Sequence, residues 1–420
     1  MSAAMDSRRR WWALTVLCLG VLMIVLDTTI VNVALPSIRT DLAFSETSLV
    51  WVVNAYMLTF GGFLLLGGRL GDLYGQRRLF LAGLVLFTLA SLACGLANSQ
   101  GLLIVARAVQ GLGGAVVSAI ALSLIMNLFI EPAERAKAMG VYGFVCAGGG
   151  SIGVLLGGVL TDALNWHWIF LVNLPIGVAV FALCLVLLPG GRGRAAGARL
   201  DVAGAVTVTS SLMLAVYAIV NGNETGWTSS QTLGMLAAAA VLMGVFLRIE
   251  SRVPTPLVPL GLFRLRNVAV ANLVGVLWAA AMFAWFFISA LYMQLVLGYS
   301  AMQVGLGFLP ANLIMAFNPV LLAAMSDVAP SESGIASGVV NTAFMMGGAL
   351  GLAVLASAAA ARTAHLTSAG AQPLAALNGG YQLAFLLGAV FAAAAAVLGA
   401  VLMRTGVAAA TLPAAGQGAE

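Results

Sequence analysis

Charge is the first thing this sequence lacks. Asp, Glu, Lys and Arg together make up 8% of its 420 residues, against roughly a quarter in an ordinary soluble domain. Cysteine and histidine are scarce as well. Cys18, Cys94, Cys146 and Cys184 all fall inside apolar runs with no paired spacing, and His167 and His365 stand alone, so neither a disulfide framework nor a zinc site is supported. The chain carries no P-loop pattern and no nucleophile with an evident base, which leaves neither an enzyme nor a cofactor to expect. Absent too are the ten-residue segments of alternating hydrophobicity that build an outer-membrane barrel.

What the chain has is apolar length. Hydrophobic residues make up 62% of it and the mean hydropathy is +1.06. A helix needs roughly 20 apolar residues to cross the hydrocarbon of a bilayer. Such runs recur at 11–34, 47–68, 79–97, 102–126, 137–160, 167–188, 202–220, 232–247, 268–292, 303–325, 335–358 and 381–403. They predict an all-α polytopic membrane protein with about 12 transmembrane helices. Arg8, Arg9 and Arg10 precede the first run as in a signal peptide, but no small-residue cleavage site follows, so that run is read as a retained helix.

The basic residues orient the chain. With the N-terminus in the cytoplasm, sixteen of the nineteen Lys and Arg fall in cytoplasmic segments, Arg39 and Arg362 fall outside, and Arg107 lies within the fourth span. The imbalance predicts both termini in the cytoplasm of a cell membrane. It also accounts for the net charge of +5 without a nucleic-acid surface.

Two ionisable residues of note therefore sit inside the membrane. Asp27, in VLMIVLDTTIVNVALP (21–36), follows sixteen uncharged residues, and Arg107 opens RAVQGLGGA (107–115). Asp27 lies nine residues before Pro36, about 13 Å along a helix, and Arg107 seven after Gln100, about 10 Å. The first span runs outward and the fourth inward, so both are expected in the outer half at similar depth. An ionised carboxylate there costs several kcal/mol unless paired or hydrated. Two roles fit: a structural ion pair, and a proton carrier whose state follows its access to water.

An internal repeat joins the fifth and eleventh runs. Shifting the chain by 198 positions lays Pro132, Glu134, Ala138, Gly140, Gly149, Gly150 and Gly153 on Pro330, Glu332, Ala336, Gly338, Gly347, Gly348 and Gly351, as in transporters built from repeated bundles. Gly149, Gly153 and Gly157, spaced by four and followed by Gly158, form a smooth face where another helix can come close. Gly148, Gly150 and Gly153 also match a dinucleotide fingerprint formally, but no strand precedes them.

Several strings resemble the major facilitator superfamily. GGRLGDLYGQRR (67–78) fits its G-x-L-x-D-x-x-G-x-R-R loop through Gly68, Asp72, Gly75, Arg77 and Arg78. RAVQGLGGA resembles its membrane-arginine motif. LDTTIVNVALP (26–36) and WHWIFLVNLPIG (166–177) resemble the drug:proton antiporter branch with fourteen helices, and GGGSIGVLLGG (148–158) resembles its antiporter helix, with Gly150 and Val154 where the branch has proline. The resemblance implies multidrug or natural-product efflux, as in antibiotic resistance, by alternating access. Asp27 and Arg107 are the candidate proton-coupling residues, with Asp27 as the group that binds the proton, and by the resemblance Asp72 would latch the loop to the start of the eleventh span at Ser331, Glu332 and Ser333. Trp51, Asn54 and Tyr56 of the second span, with Trp278, Phe283, Phe287, Tyr292 and Gln294 of the ninth, are candidate walls of a cavity for a small amphipathic substrate. The expected partners are that substrate, protons and the lipid bilayer, around a monomer.

The second half departs from that pattern. RIESRVPTPLVPLGLFRLRN (248–267) resembles the segment before a second bundle, yet only four spans follow it. GLGFLPANLIMA (305–316) resembles the start of the branch's tenth helix and AFNPVLLAAMSDVAP (316–330) the end of its twelfth, as though two helices' worth of chain were lost. The expected organisation is a six-helix bundle at 1–188, a linker with two extra helices at 189–250, a four-helix bundle at 251–403 and a tail at 404–420. Pro310 and Pro319 would bend the tenth span, and the lost helices would leave Asn312 and Asn318 on it with few protein neighbours. An ordinary six-plus-six transporter is the alternative arrangement, and a shortened homologue that no longer transports is the alternative function.

Overall fold

A computed structural model of the protein describes residues 6–188, 201–254, 256–315 and 333–403. Linker residues 189–200, the stretch 316–332 with Asn318, Pro319, Ser331 and Glu332, and the tail 404–420 lie outside the described residues. All regular structure described is helical: α1 (Ser7–Asp41), α2 (Glu46–Tyr74), α3 (Gln76–Gly95), α4 (Gln100–Leu128), α5 (Pro132–Ala163), α6 (Trp168–Leu171), α7 (Asn173–Leu187), α8 (Val202–Thr225), α9 (Ser230–Glu250), a 3₁₀ turn (Leu260–Arg264), α10 (Arg266–Leu295), α11 (Ala301–Met315), α12 (Ser333–Ser368) and α13 (Pro373–Leu402). Among the described residues eleven spans are long and apolar enough to cross a membrane. Helices satisfy their own backbone groups, which hydrocarbon cannot do for them.

Three boundaries differ from the sequence reading. The first apolar run thins out at Pro36, but α1 continues to Asp41; the Thr40 hydroxyl donates to the Pro36 carbonyl at 3.0 Å. The sixth run is broken at Val172, where α6 ends and α7 begins. The expected glycine turn after the second span is confined to Gly75, at φ 97°, because Gly68 and Asp72 still belong to the backbone of α2. Only glycine takes that conformation without strain.

Close helix pairs are set by missing side chains. A Cβ on Gly149 would lie 2.9 Å from Val25, on Gly153 3.0 Å from the Leu26 carbonyl, and on Gly157 2.8 Å from the Ile30 carbonyl, all on α1. The repeat glycines do the same for α12 against α10: a Cβ on Gly347 would lie 2.7 Å from the Val276 Cα, and one on Gly351 would overlap Ala280. So α1–α5 and α10–α12 are equivalent pairs, with Leu26 in register with Ala280. Asp27 then falls on Ala281, and the second half has no acidic counterpart at that position. Gly351→Val should force α10 and α12 apart and cost at least about 1–3 kcal/mol, read as a lower unfolding midpoint of the purified protein.

The halves meet along two seams, α2 against α12 and α5 against α11. The α8–α9 hairpin stands outside them: α8 rests on α2 and α12, and α9 contacts α8. Asn223 of α8 donates to the Ser357 carbonyl of α12 at 2.7 Å, and the Ser357 hydroxyl donates back to the Ile219 carbonyl at 3.0 Å. Below, the near end of the molecule is the one holding Ser7 and Gly75; the far end holds the α1–α2 and α3–α4 turns.

Candidate functional site: a buried charge network

Asp27 and Arg107 meet in the core of the first half. Both are closed off from the surface, at 0% and 1% exposure. One Arg107 guanidinium nitrogen donates to Asp27 Oδ2 at 2.5 Å and to Gln110 Oε1 at 2.6 Å, while Nε donates to the Val52 carbonyl at 2.9 Å. Gln110 Nε2 donates to Asp27 Oδ1 at 2.7 Å and to the Ser91 hydroxyl at 2.8 Å, and Asn173 Nδ2 donates to Asp27 Oδ1 at 3.1 Å. The ring of Tyr56 lies under the guanidinium, 4.4 Å from centroid to Cζ, with Phe170 at 5.6 Å. Burial makes such a network costly to leave half-made, since each unpaired polar group would forfeit its solvation.

Each partner is placed by a local feature. Gln110 is one turn beyond Arg107 on α4, so the two share a face. Asn173 is the first residue of α7 and is buried, its amide reaching Asp27. Helix α4 comes close enough because it has no side chain at Gly111 or Gly113: a Cβ on Gly111 would overlap the Tyr56 carbonyl, and one on Gly113 would sit 2.6 Å from the Phe87 amide. Ser91 is supplied by α3, its hydroxyl anchored to the Phe87 carbonyl at 2.8 Å. Five helices thus contribute to one carboxylate and its partners. Sequence reasoning missed Gln110, Asn173 and Ser91, although Gln110 and Asn173 stand inside the two quoted motifs as amides in otherwise apolar runs.

The proposed cavity residues do not converge. Tyr56 is buried under Arg107 within the first half. Trp51 lines a cleft of about 610 Å³ at the far end, between α2, the start of α4 and α8, together with Ser48, Gln100, Tyr217 and Asn221. Asn54 donates to the Ala349 carbonyl at 3.1 Å, bonding α2 to α12. Phe283 stacks edge-on with Phe344, Phe287 is buried, Tyr292 lies against Tyr381 and Phe385, and Gln294 donates to the Val33 carbonyl of α1 at 2.9 Å. Trp278 packs at the edge of a cluster of Val270, Val274 and Ala395.

The loop residues are placed in part. The Arg77 guanidinium donates to the Leu185 carbonyl at the end of α7, at 2.6 Å, and Arg78 is exposed. The side chain of Asp72 lies outside the described residues, as do its expected partners Ser331 and Glu332 and the side chains of Ser333 and Asn312. At the far end the halves are joined: Asp162 of α5 accepts from the Met302 amide in the first turn of α11 at 2.9 Å, and a Cβ on Gly158 would lie 2.8 Å from the Met302 Cα.

A buried Asp–Arg pair held by two amides thus lies beside a helix pair that is repeated in both halves. The family model described as Major Facilitator Superfamily matches residues 17–327. The chain belongs to the major facilitator superfamily. Among superfamily relatives it is 36% identical to the puromycin resistance protein pur8 of Streptomyces alboniger, over 94% of this chain and 90% of that one. It is 38% identical to the cephamycin export protein CmcT of Amycolatopsis lactamdurans, over 82% and 84%. Among solved structures it resembles a peptide transporter POT in complex with sulfate, at a TM-score of 0.62 and 13% identity over 93% of this chain and 96% of that one. That likeness speaks to the fold alone.

Proposed function

We propose that the protein is a proton-coupled exporter of small hydrophobic or cationic compounds that works by alternating access, with Asp27 as the proton carrier. The observation that carries this reading is the network around Asp27, which accepts from three donors on two helices, Arg107 and Gln110 of α4 and Asn173 of α7. A carboxylic acid must donate as well as accept, so taking up a proton requires one of those donors to turn away. Protonation is thereby tied to a shift of α4 or α7 against α1. The relatives named for puromycin resistance and cephamycin export support a drug or natural product as cargo. Efflux from cells or vesicles that needs no ATP and collapses with an uncoupler is the test.

The near end is the cytoplasmic one in this reading, supported by the positive loop bias. The closed seam between α5 and α11 at the far end, with Phe144 on the near half of α5 at 78% exposure, supports an inward-facing arrangement. Asp162 then acts as an outer latch on the first turn of α11. Asp162→Ala should remove about 0.5–1 kcal/mol from the closed outer seam, a roughly two- to fivefold population shift. Faster labelling of a cysteine placed in that seam would register it.

A shortened second half belongs to the same reading. Here α10, α12 and α13 stand for the first, fifth and sixth helices of a bundle and α11 for the start of the second, while the rest of the second, the third and the start of the fourth are missing. The match to the puromycin resistance protein supports it: the alignment runs over 461 positions yet covers 94% of a 420-residue chain. It therefore opens gaps amounting to roughly two membrane crossings with their loops. The same feature favours the second reading, a homologue that folds and no longer transports. Substrate binding without uncoupler-sensitive efflux would select it.

A further inference from the structure

Outside the Asp27 network lies a second buried acidic pair, at the near-end base of the α8–α9 hairpin. Asp201 caps α8, its Oδ1 accepting from the Gly204 amide at 2.7 Å. Glu250 ends α9, its Oε2 accepting from the Val258 amide of the following linker at 3.0 Å. The two residues are 5% and 4% exposed. Each carboxylate so far has one oxygen bonded to backbone and one left over, and the leftovers, Asp201 Oδ2 and Glu250 Oε1, are buried with no hydrogen-bond partner. Both point at the same spot: a Cβ on Gly204 would overlap Oδ2 and lie 2.7 Å from Oε1. The two carboxyl groups are within hydrogen-bonding reach of each other.

Two bare acceptor oxygens aimed at one spot and cut off from water repel as a pair of charges and bond strongly as acid and carboxylate. Among the described residues no cation relieves them. Arg248 and Arg252 on either side of Glu250 are exposed, the linker 256–259 has no charged residue, and Arg264 and Arg266 beyond it are exposed. From α2 the described side chains facing this base are apolar, Leu66 with Phe63, Leu65 and Leu70 around Ala205 and Leu257; the side chains of Arg69 and Asp72, and Arg192, Arg194 and Arg199 ahead of α8, lie outside the described residues, and among the described groups it is the charge of Asp201 that acts on Glu250.

We propose that Asp201 and Glu250 form a proton-binding site, holding one proton between Oδ2 and Oε1. Loaded, the pair ties the start of α8, the end of α9 and the linker to α10 into one joint against the end of α2. Emptied, the two charges push that joint apart. On the orientation proposed above the site samples cytoplasmic pH, but its existence rests on neither that orientation nor transport.

The test uses the full chain in lipid nanodiscs, comparing unfolding midpoints between about pH 5 and about pH 9. A group that holds its proton more firmly in the folded protein lends stability at acid pH and loses it as pH rises through the folded value. The wild-type midpoint should therefore fall toward alkaline pH. In Glu250→Gln the amide donates permanently to Asp201 Oδ2 and still accepts from Val258, so the midpoint should match wild type at acid pH and exceed it at alkaline pH. A variant less stable than wild type by the same margin throughout would overturn the site. Infrared spectroscopy gives a second readout: a carboxylic-acid C=O band at neutral pH that persists in Asp27→Asn and disappears in Glu250→Gln. A spectrum in which Asp27→Asn removes every such band would overturn it equally, whether or not Glu250→Gln folds.

Discussion

Asp27→Asn should abolish proton-driven transport, by at least ~100-fold, while substrate affinity stays within about threefold. The amide keeps the shape of the carboxylate and can still accept from Arg107 through its oxygen. Its nitrogen, however, would face Gln110 and Asn173, both of which now present donors to Asp27 Oδ1, so one of those amides must flip or withdraw. The variant is thus held in the arrangement that the protonated acid reaches only transiently. Binding should survive because none of these groups lies on an open surface; Asp27, Arg107, Gln110 and Asn173 are all buried. The decisive measurement is proton release on adding substrate to the purified protein. Release that persists undiminished in Asp27→Asn would assign the carrier elsewhere, whereas partial recovery in Asp27→Glu would place it at this position.

Much of this architecture is legible in the sequence because a bilayer imposes few choices. An apolar run of sufficient length has to be a helix, so α1 to α5, α8 to α10, α12 and α13 follow from hydropathy, and the glycine spacing at 149, 153 and 157 reports a close neighbour. What is not legible is which residues meet across helices. Asp27 and Arg107 can be matched in depth by counting residues, since rise per residue is fixed. The roles of Gln110 and Asn173 depend on rotation about the helix axis, which no hydropathy window registers. The aromatic residues show the converse error. Tyr56 and Phe287 suit a ligand wall by type, yet in a chain so poor in polar groups aromatic side chains also fill the interior, and Tyr56 instead supports the guanidinium. The paired acids Asp201 and Glu250 escaped notice because they are 49 residues apart and each sits beside a polar boundary, where a carboxylate attracts no suspicion.

Arg107→Met should be the most destabilising single change in the first half, at about 3–5 kcal/mol. Methionine fills much of the volume and suits an apolar helix, so the loss comes from what is left behind. Asp27 would remain buried with two amide donors and no countercharge, and the Val52 carbonyl and Gln110 Oε1 would each lose the guanidinium donor. Arg107→Lys should recover little, because one ammonium cannot reach the Val52 carbonyl, Asp27 and Gln110 in three directions while lying flat over Tyr56. The double variant Asp27→Asn with Arg107→Met separates charge from packing. If the cost is an orphaned carboxylate, removing that charge should return more than half of the lost stability, giving a coupling of roughly 2–3 kcal/mol in a double-mutant cycle. If the double variant is as unstable as the sum of the singles, the guanidinium acts through its contacts with Tyr56 and Phe170 and the ion pair is incidental. The same cycle bears on transport. A protein that regains stability in the double variant but exports nothing would show that the pair is retained for coupling, since a neutral core of the same shape would then hold the fold without it.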